Sequence, residues 1–147
     1  MKIRAATSED IPALQGLIER SIRQLNTKEH SPESMELVCA LFTEERLHRD
    51  LQRRDMFILE NHQLLIGTIS FGDGKLHSLF VEPAQACKGY GSQLVTYIED
   101  FARGRNLPKL SLNASLTATP FYEKLGFIKL NEVKVDFGSM WAMEKQL

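Results

Sequence analysis

The stretch LFVEPAQACKGYGSQLVTYIEDFA, residues 79–102, carries the reading of this chain. It opens on an apolar run, Leu79-Phe80-Val81, and breaks at Pro83. Gly89-Tyr90-Gly91 follows. Then Leu94, Val95, Ile98, Phe101 and Ala102 recur at the spacing of one helix face, with Gly104 as a stop signal. The pattern predicts a strand, a glycine loop and an amphipathic helix. A helix N-terminus offers unpaired N–H groups and a partial positive charge, so such a loop can hold a phosphate. Glycines let the backbone turn tightly and approach the anion, and Lys88 adds a point charge. A tight turn that merely starts a helix has the same letters, and Gly-x-Gly alone does not separate the two. The dinucleotide fingerprint needs a third glycine where Leu94 stands, and Gly74-Lys75 is followed by Leu76, which is no Walker pattern.

Before this stretch the period is that of a hairpin sheet. MFILE, QLLIGTISF and KLHSLFV are three apolar runs separated by Asn61-His62 and by Gly72-Asp73-Gly74, which read as turns of an antiparallel meander. Further back, Lys2 to Ala5 reads as a strand and Ser8 as the N-cap of a helix, with Glu9 and Asp10 in its first turn. That helix carries the stripe Ile11, Leu14, Leu17, Ile18, Ile22 and Leu25. Asn26 to Ser31 reads as a polar loop, and Ser31-Pro32-Glu33 as a second helix start. Thr43 to Arg53 forms a charged third helix. After the glycine stretch come a strand at Lys109 to Asn113 and a short helix through FYEKL ended by Gly126. Two strands follow, near Phe127 to Val135 and Met140 to Lys145. The order predicts an α/β (α+β) fold with a mixed sheet. The helix between the fourth and fifth strands permits a parallel pair.

At 147 residues the chain reads as one domain, 1–147, able to bury a core without staples. Net charge is −1, from 18 basic and 19 acidic residues, so there is no electrostatic reason to expect nucleic acid or an anionic membrane as partner. No run is apolar enough to predict a membrane span. Cys39 and Cys87 make no disulfide framework, and MKIRAATSED lacks a signal peptide's apolar core. A reducing cytoplasm is the default expectation. His30, His48, His62 and His77 have no metal-ligand spacing with either cysteine, so no metal is expected. Arg46, Arg49, Arg53 and Arg54 alternate with Glu44, Glu45, Asp50 and Asp55, which reads as a solvated helix face.

The opening stretch resembles the acetyl-CoA-binding segment of the GNAT acyltransferase superfamily. Val81-Glu82-Pro83 and Lys88-Gly89-Tyr90-Gly91-Ser92 match the family's Val-x-Pro and Gly-x-Gly signatures in place. The later segment LNASLTATPFYEKLGF resembles the family's second signature, centred on Tyr122 to Phe127. The two signatures stand in the family's order and spacing. The resemblance implies the GNAT fold: a mixed, mostly antiparallel sheet of about six to seven strands, flanked by about four to five helices, with a splayed parallel pair of strands four and five. It implies an acetyl-CoA-dependent N-acetyltransferase with acetyl-CoA as cosubstrate and no metal. The acceptor would be a primary amine on a small molecule or peptide. The amine would attack directly through a tetrahedral intermediate, whose oxyanion a backbone N–H stabilises.

The implied cofactor-binding residues are Leu79, Phe80 and Val81 along pantetheine, and Cys87, Lys88, Gly89, Tyr90, Gly91 and Ser92 around the pyrophosphate. Tyr122 is the implied general acid toward the leaving thiolate, its other reading being a packing aromatic beside Phe121 and Phe127. Ser115 falls where relatives place an asparagine on CoA, and it equally suits a cap for the short helix. Ala86 and Cys87 depart from the family's Gln/Arg-x-x-Gly pattern, with Gln85 one residue early. That departure keeps a non-catalytic acyl-CoA-binding or sensor protein as the alternative. His77 and Glu82 are the titratable residues nearest the expected gap; His30 and Glu29 lie in the loop that borders the acceptor site in relatives. In such relatives the terminal strands join two copies, so a homodimer is an assembly the resemblance allows.

Overall fold

A computed structural model describes residues 1–25 and 31–147. Seven strands form one sheet: β1 (Lys2–Ala5), β2 (Asp55–Asn61), β3 (Leu64–Gly72), β4 (Lys75–Val81), β5 (Lys109–Ser115), β6 (Ile128–Val135) and β7 (Gly138–Gln146). Their spatial order is β1-β2-β3-β4-β5-β7-β6. Every neighbouring pair is antiparallel except β4 and β5, which are parallel. The helices are α1 (Ile11–Leu25), α2 (Pro32–Cys39), α3 (Glu44–Arg53), α4 (Tyr90–Gly104) and α5 (Thr119–Lys124). The expected mixed sheet and element order are those observed.

Alternation along the strands explains the two cores. Successive side chains of a strand point to opposite faces. Phe57 and Leu59 of β2 join Leu94, Val95, Ile98 and Ala102 of α4. Met56 and Ile58 join Ile11, Leu14, Leu17, Ile18 and Ile22 of α1, with Leu47 of α3. Both faces of the central strands are therefore covered, and β2 and β3 read as near-continuous apolar runs. Among the described residues no helix is long and apolar enough to cross a membrane.

Several expected boundaries move, each for a local reason. The β2–β3 turn is His62-Gln63, not Asn61-His62, because Asn61 already pairs with Leu64 and the two turn residues take φ of 50° and 68°. Asp73-Gly74 turns the next hairpin the same way, at φ 54° and 73°. The N-terminal cap is Thr7, not Ser8. Its N–H donates to Asp10 Oδ2 at 2.7 Å, so Ser8–Asp10 forms a single 3-10 turn before α1. Arg4 holds that carboxylate through two bonds of 2.9 Å.

At the end of α4 the left-handed residue is Asn106, at φ 60°, rather than Gly104. The N–H of Asn106 donates to the Arg103 carbonyl and that of Leu107 to the Ala102 carbonyl, which closes the helix just past Gly104, its last residue. Gly126 ends α5 as expected: its φ is 98°, and the N–H of Phe127 reaches back to the Tyr122 carbonyl at 3.1 Å. Ser31 caps α2 by accepting from the Ser34 N–H at 3.1 Å. The expected loop at 26–30, with Glu29 and His30, lies outside the described residues.

Candidate active site

The sheet opens between β4 and β5. These strands share one register pair, Lys75 with Ser111, whereas β5 and β7 pair continuously from Lys109 with Gln146 to Ser115 with Met140. The cause lies on the other side of β4. Phe80 opposes Thr68 and His77 opposes Ser70, so Ser78 and Leu79 together face the single residue Ile69. That is a β-bulge, with Ser78 held at φ 44°. Beyond Lys75, and among the described residues, the β5-facing edge of β4 has no strand partner. A cleft of about 460 Å³ fills the gap. His77, Leu79 and Phe80 line one side; Asn113, Ser115 and Tyr122 line the other. Phe80 packs edge-on against Phe42, at 5.2 Å between rings, which closes the wall toward the turn joining α2 and α3.

The glycine stretch sits past the end of β4. Pro83–Gln85 makes a 3-10 turn, Ala86 is extended, and Cys87 and Gly89 take left-handed φ of 62° and 83°. The first hydrogen bond of α4 runs from the Gln93 N–H to the Gly89 carbonyl at 3.1 Å. The N–H groups of Tyr90, Gly91 and Ser92 therefore precede the helix's own ladder. A Cβ on Gly91 would stand 3.2 Å from Phe121 Cζ and 3.9 Å from Val81 Cγ2, so the loop is seated on the end of β4 and on α5. Open space surrounds the Cβ direction of Gly89. Bare backbone, free amides and a helix N-terminus suit a diphosphate. The lysine is not idle: Lys88 Nζ donates to Gln85 Oε1 at 3.0 Å. Gln85, one residue early for the family pattern, thus braces the loop's cation.

Leu79, Phe80, Ser115 and Tyr122 line the cleft, while Cys87 to Ser92 form its neighbour at the end of β4 and Val81 lies under Gly91. The packing reading of Tyr122 holds, and the residue also lines the cleft. Its ring is buried and packs edge-on against Phe121 and Phe127, at 5.0 and 5.7 Å. Among the described residues its hydroxyl has no protein hydrogen-bond partner, yet no buried side-chain polar atom is left unsatisfied. The hydroxyl is therefore open to the cleft. Burial pushes the phenol well above its usual range, so it is protonated near neutral pH. Ser115 does not cap α5, whose N-cap is Ala118; its Oγ accepts from the Ala118 N–H at 3.2 Å and holds the turn before the helix.

The titratable candidates separate. His77 lines the cleft, and its imidazole is held below the usual histidine range by burial, with Arg54 and Lys75 adding to the effect. Glu82 is engaged elsewhere. Arg20 grips it through Nε and Nη2 at 3.0 and 2.7 Å, tying the end of β4 to α1. Sequence spacing gave no sign of Ser78, because a bulge is a property of register between two strands. It likewise missed the approach of Asn113 to Lys75 across the cleft: with the Asn113 amide turned over, its oxygen accepts from Lys75 Nζ at 3.1 Å.

Known proteins share this architecture. A family model described as an acetyltransferase (GNAT) domain matches residues 26–147. The chain is 23% identical over 141 residues to a protein of Escherichia coli (strain K12) named uncharacterized N-acetyltransferase YafP, across 96% of this chain and 90% of that one. A crystal structure of a GCN5-related N-acetyltransferase from Rhodopseudomonas palustris superposes with a TM-score of 0.94 at 23% identity, covering 99% of this chain and 95% of that one. The PaiA N-acetyltransferase of Thermoplasma acidophilum, solved in complex with coenzyme A, superposes with a TM-score of 0.85 at 22% identity, covering 99% and 98%. At these identities the structural likeness speaks to the fold.

Proposed function

This chain belongs to the GNAT acetyltransferase family, and we propose that it moves the acetyl group of acetyl-CoA to a primary amine. The observation that carries this reading is the parting of β4 from β5 at the Ser78–Leu79 bulge, beside a glycine loop that opens α4. An unpaired strand edge accepts an extended amide-bearing chain as a sheet accepts another strand. In this reading the edge at Leu79, Phe80 and Val81 binds pantetheine, and the amides from Cys87 to Ser92 bind the pyrophosphate. Acetyl-CoA supplies an activated acetyl thioester. A backbone N–H of the β4 edge donates to the carbonyl oxygen, where negative charge develops.

Two side chains handle protons. Neutral His77 takes the proton of the incoming amine on its imidazole, directly or through water. The Tyr122 hydroxyl, protonated and open to the cleft, donates to the leaving sulfur. Ser115 positions the turn before α5 and so the ring of Tyr122. The missing side chain at Ala86 removes one contact but none of the loop's amides, so CoA binding is retained.

Calorimetry with CoA and thiol release from acetyl-CoA across a panel of amines test the reading. Saturable CoA binding with amine-dependent thiol release supports it. Absence of CoA binding overturns it. Binding without turnover across the panel assigns the chain the acyl-CoA-binding role instead.

A further inference from the structure

The arginines of α3 do more than solvate a helix. Arg46, Arg49, Arg53 and Arg54 line one side pocket of about 430 Å³. Leu47 and Leu51 turn the opposite face of α3 into the core, so Arg46, Arg49 and Arg53 fall on one stripe at helical spacing, and Arg54 is the extended residue that ends the helix. Three of the four acids that alternate with them in sequence are elsewhere. Asp55 pairs with Arg105 at 3.2 Å, and neither Glu44 nor Glu45 lines the pocket. Asp50 is the one carboxylate lining it, at 3.2 Å from Arg53 and 3.9 Å from Arg54. Four guanidinium groups against one carboxylate leave a surplus of three positive charges. Among the described residues neither Arg46 nor Arg49 has an ion-pair partner.

The pocket borders the cleft. Leu41, Phe42 and Ser78 line both. Ser78 is the bulge residue, at the point where β4 leaves β5, whereas the glycine loop lies past the other end of that free edge, beyond Val81. A molecule seated in the pocket thus lies beside the cleft, on the side away from the loop. Guanidinium forks match carboxylate and phosphate geometry, and a concave wall of one charge sign concentrates the opposite ion.

We infer that this pocket is the acceptor subsite for an oxyanion: the acceptor is a small amine that carries a carboxylate or phosphate group. The amine part rests on the acetyl-transfer reading; the oxyanion part does not. Polycationic amines are excluded from this pocket by the same charges.

The test begins with binding, which needs no turnover. Wild-type protein is titrated by calorimetry with inorganic phosphate and with glutarate at fixed ionic strength. The R46Q/R49Q double variant, altered at two exposed positions, is titrated alongside. Saturable binding of at least one probe by wild type, weakened about tenfold or more in the variant, is expected. CoA affinity should change less than about threefold. No saturable binding of either probe overturns the inference, as does equal binding by the variant. A parallel tenfold loss of CoA affinity also overturns it, because the arginines would then hold the cosubstrate's phosphates.

In the kinetic arm, glutamate and phosphoethanolamine are compared with ethylamine and putrescine. The ratio of kcat/KM for the better oxyanion-bearing amine to that for ethylamine should fall at least tenfold in the variant, and the better of the two identifies carboxylate or phosphate. If oxyanion binding is lost in the variant while no amine is turned over, the subsite stands and the acetyl-transfer reading is what fails.

Discussion

At the scale of single residues, the proposed reaction assigns its proton transfers to Tyr122 and His77, and their surroundings suit opposite tasks. A buried phenol pushed upward stays protonated and can only give a proton; an imidazole held below its usual range stays neutral and can accept one. Tyr122→Phe keeps the ring packed against Phe121 and Phe127 and removes only a hydroxyl that has no protein partner among the described residues. Its melting temperature should therefore stay within a few degrees of wild type while kcat falls by about a hundredfold, the usual scale for a general acid. A drop of less than about threefold would remove Tyr122 from the chemistry. For His77 the sign is also set. Protonation abolishes the base, so kcat/KM should decline on the acid side only below the ordinary histidine value of about 6.5. His77→Gln should lower kcat/KM and erase that limb; a pH profile that keeps it places the base elsewhere. Tyr122 was legible as a motif position. The reach of its hydroxyl was not, because it depends on which neighbours leave the ring edge open.

At the scale of elements, the site exists because β4 carries one residue too many for β3. Deleting Ser78 should let Leu79 face Ile69 alone and keep Phe80 opposite Thr68, restoring a regular ladder. The expected outcome is a folded protein by circular dichroism with CoA affinity reduced at least tenfold by calorimetry. Unchanged CoA affinity would mean that the bulge does not open the cleft. A second element-level device clamps α4 onto β7. Lys145 Nζ donates to both oxygens of Glu99 at 3.0 and 3.2 Å, and Glu99 is almost fully buried. Lys145→Met leaves that carboxylate without its nearest cation, Arg103 standing at 3.6 Å. Urea unfolding should show a loss of about 2 kcal/mol, below the fully buried limit because Lys145 is partly exposed. The amphipathic pattern of α4 was readable from Leu94 to Ala102. This clamp was not, since its partners stand 46 residues apart.

For the whole molecule, stability should rise with pH on the acid side. His77 is depressed in the folded state, so the unfolded chain binds its proton more readily, and folding is favoured as pH climbs through the window that ends near about 6.5. Asp10, held low chiefly by Arg4, adds stability present above the ordinary carboxylate value of about 3.9 and lost as pH falls below it. Urea midpoints measured between about pH 5 and pH 7.5 should increase, and His77→Gln should flatten that rise. An unchanged slope would show that the imidazole is no better protonated in the unfolded chain. The sequence by itself determined what depends on neighbours along the chain: the helical stripes, the meander, the glycine loop before α4, and the two signatures that mark the family. Those follow from period, capping and turn chemistry, which act over a few residues. Only the tertiary structure decided what depends on register and on which faces meet. It set Ser78 in a bulge, engaged Glu82 with Arg20, opened Tyr122 to the cleft, and separated the arginines of the side pocket from three of the four acids that alternate with them in sequence. Net charge sums over the chain, whereas a pocket responds only to the groups that line it.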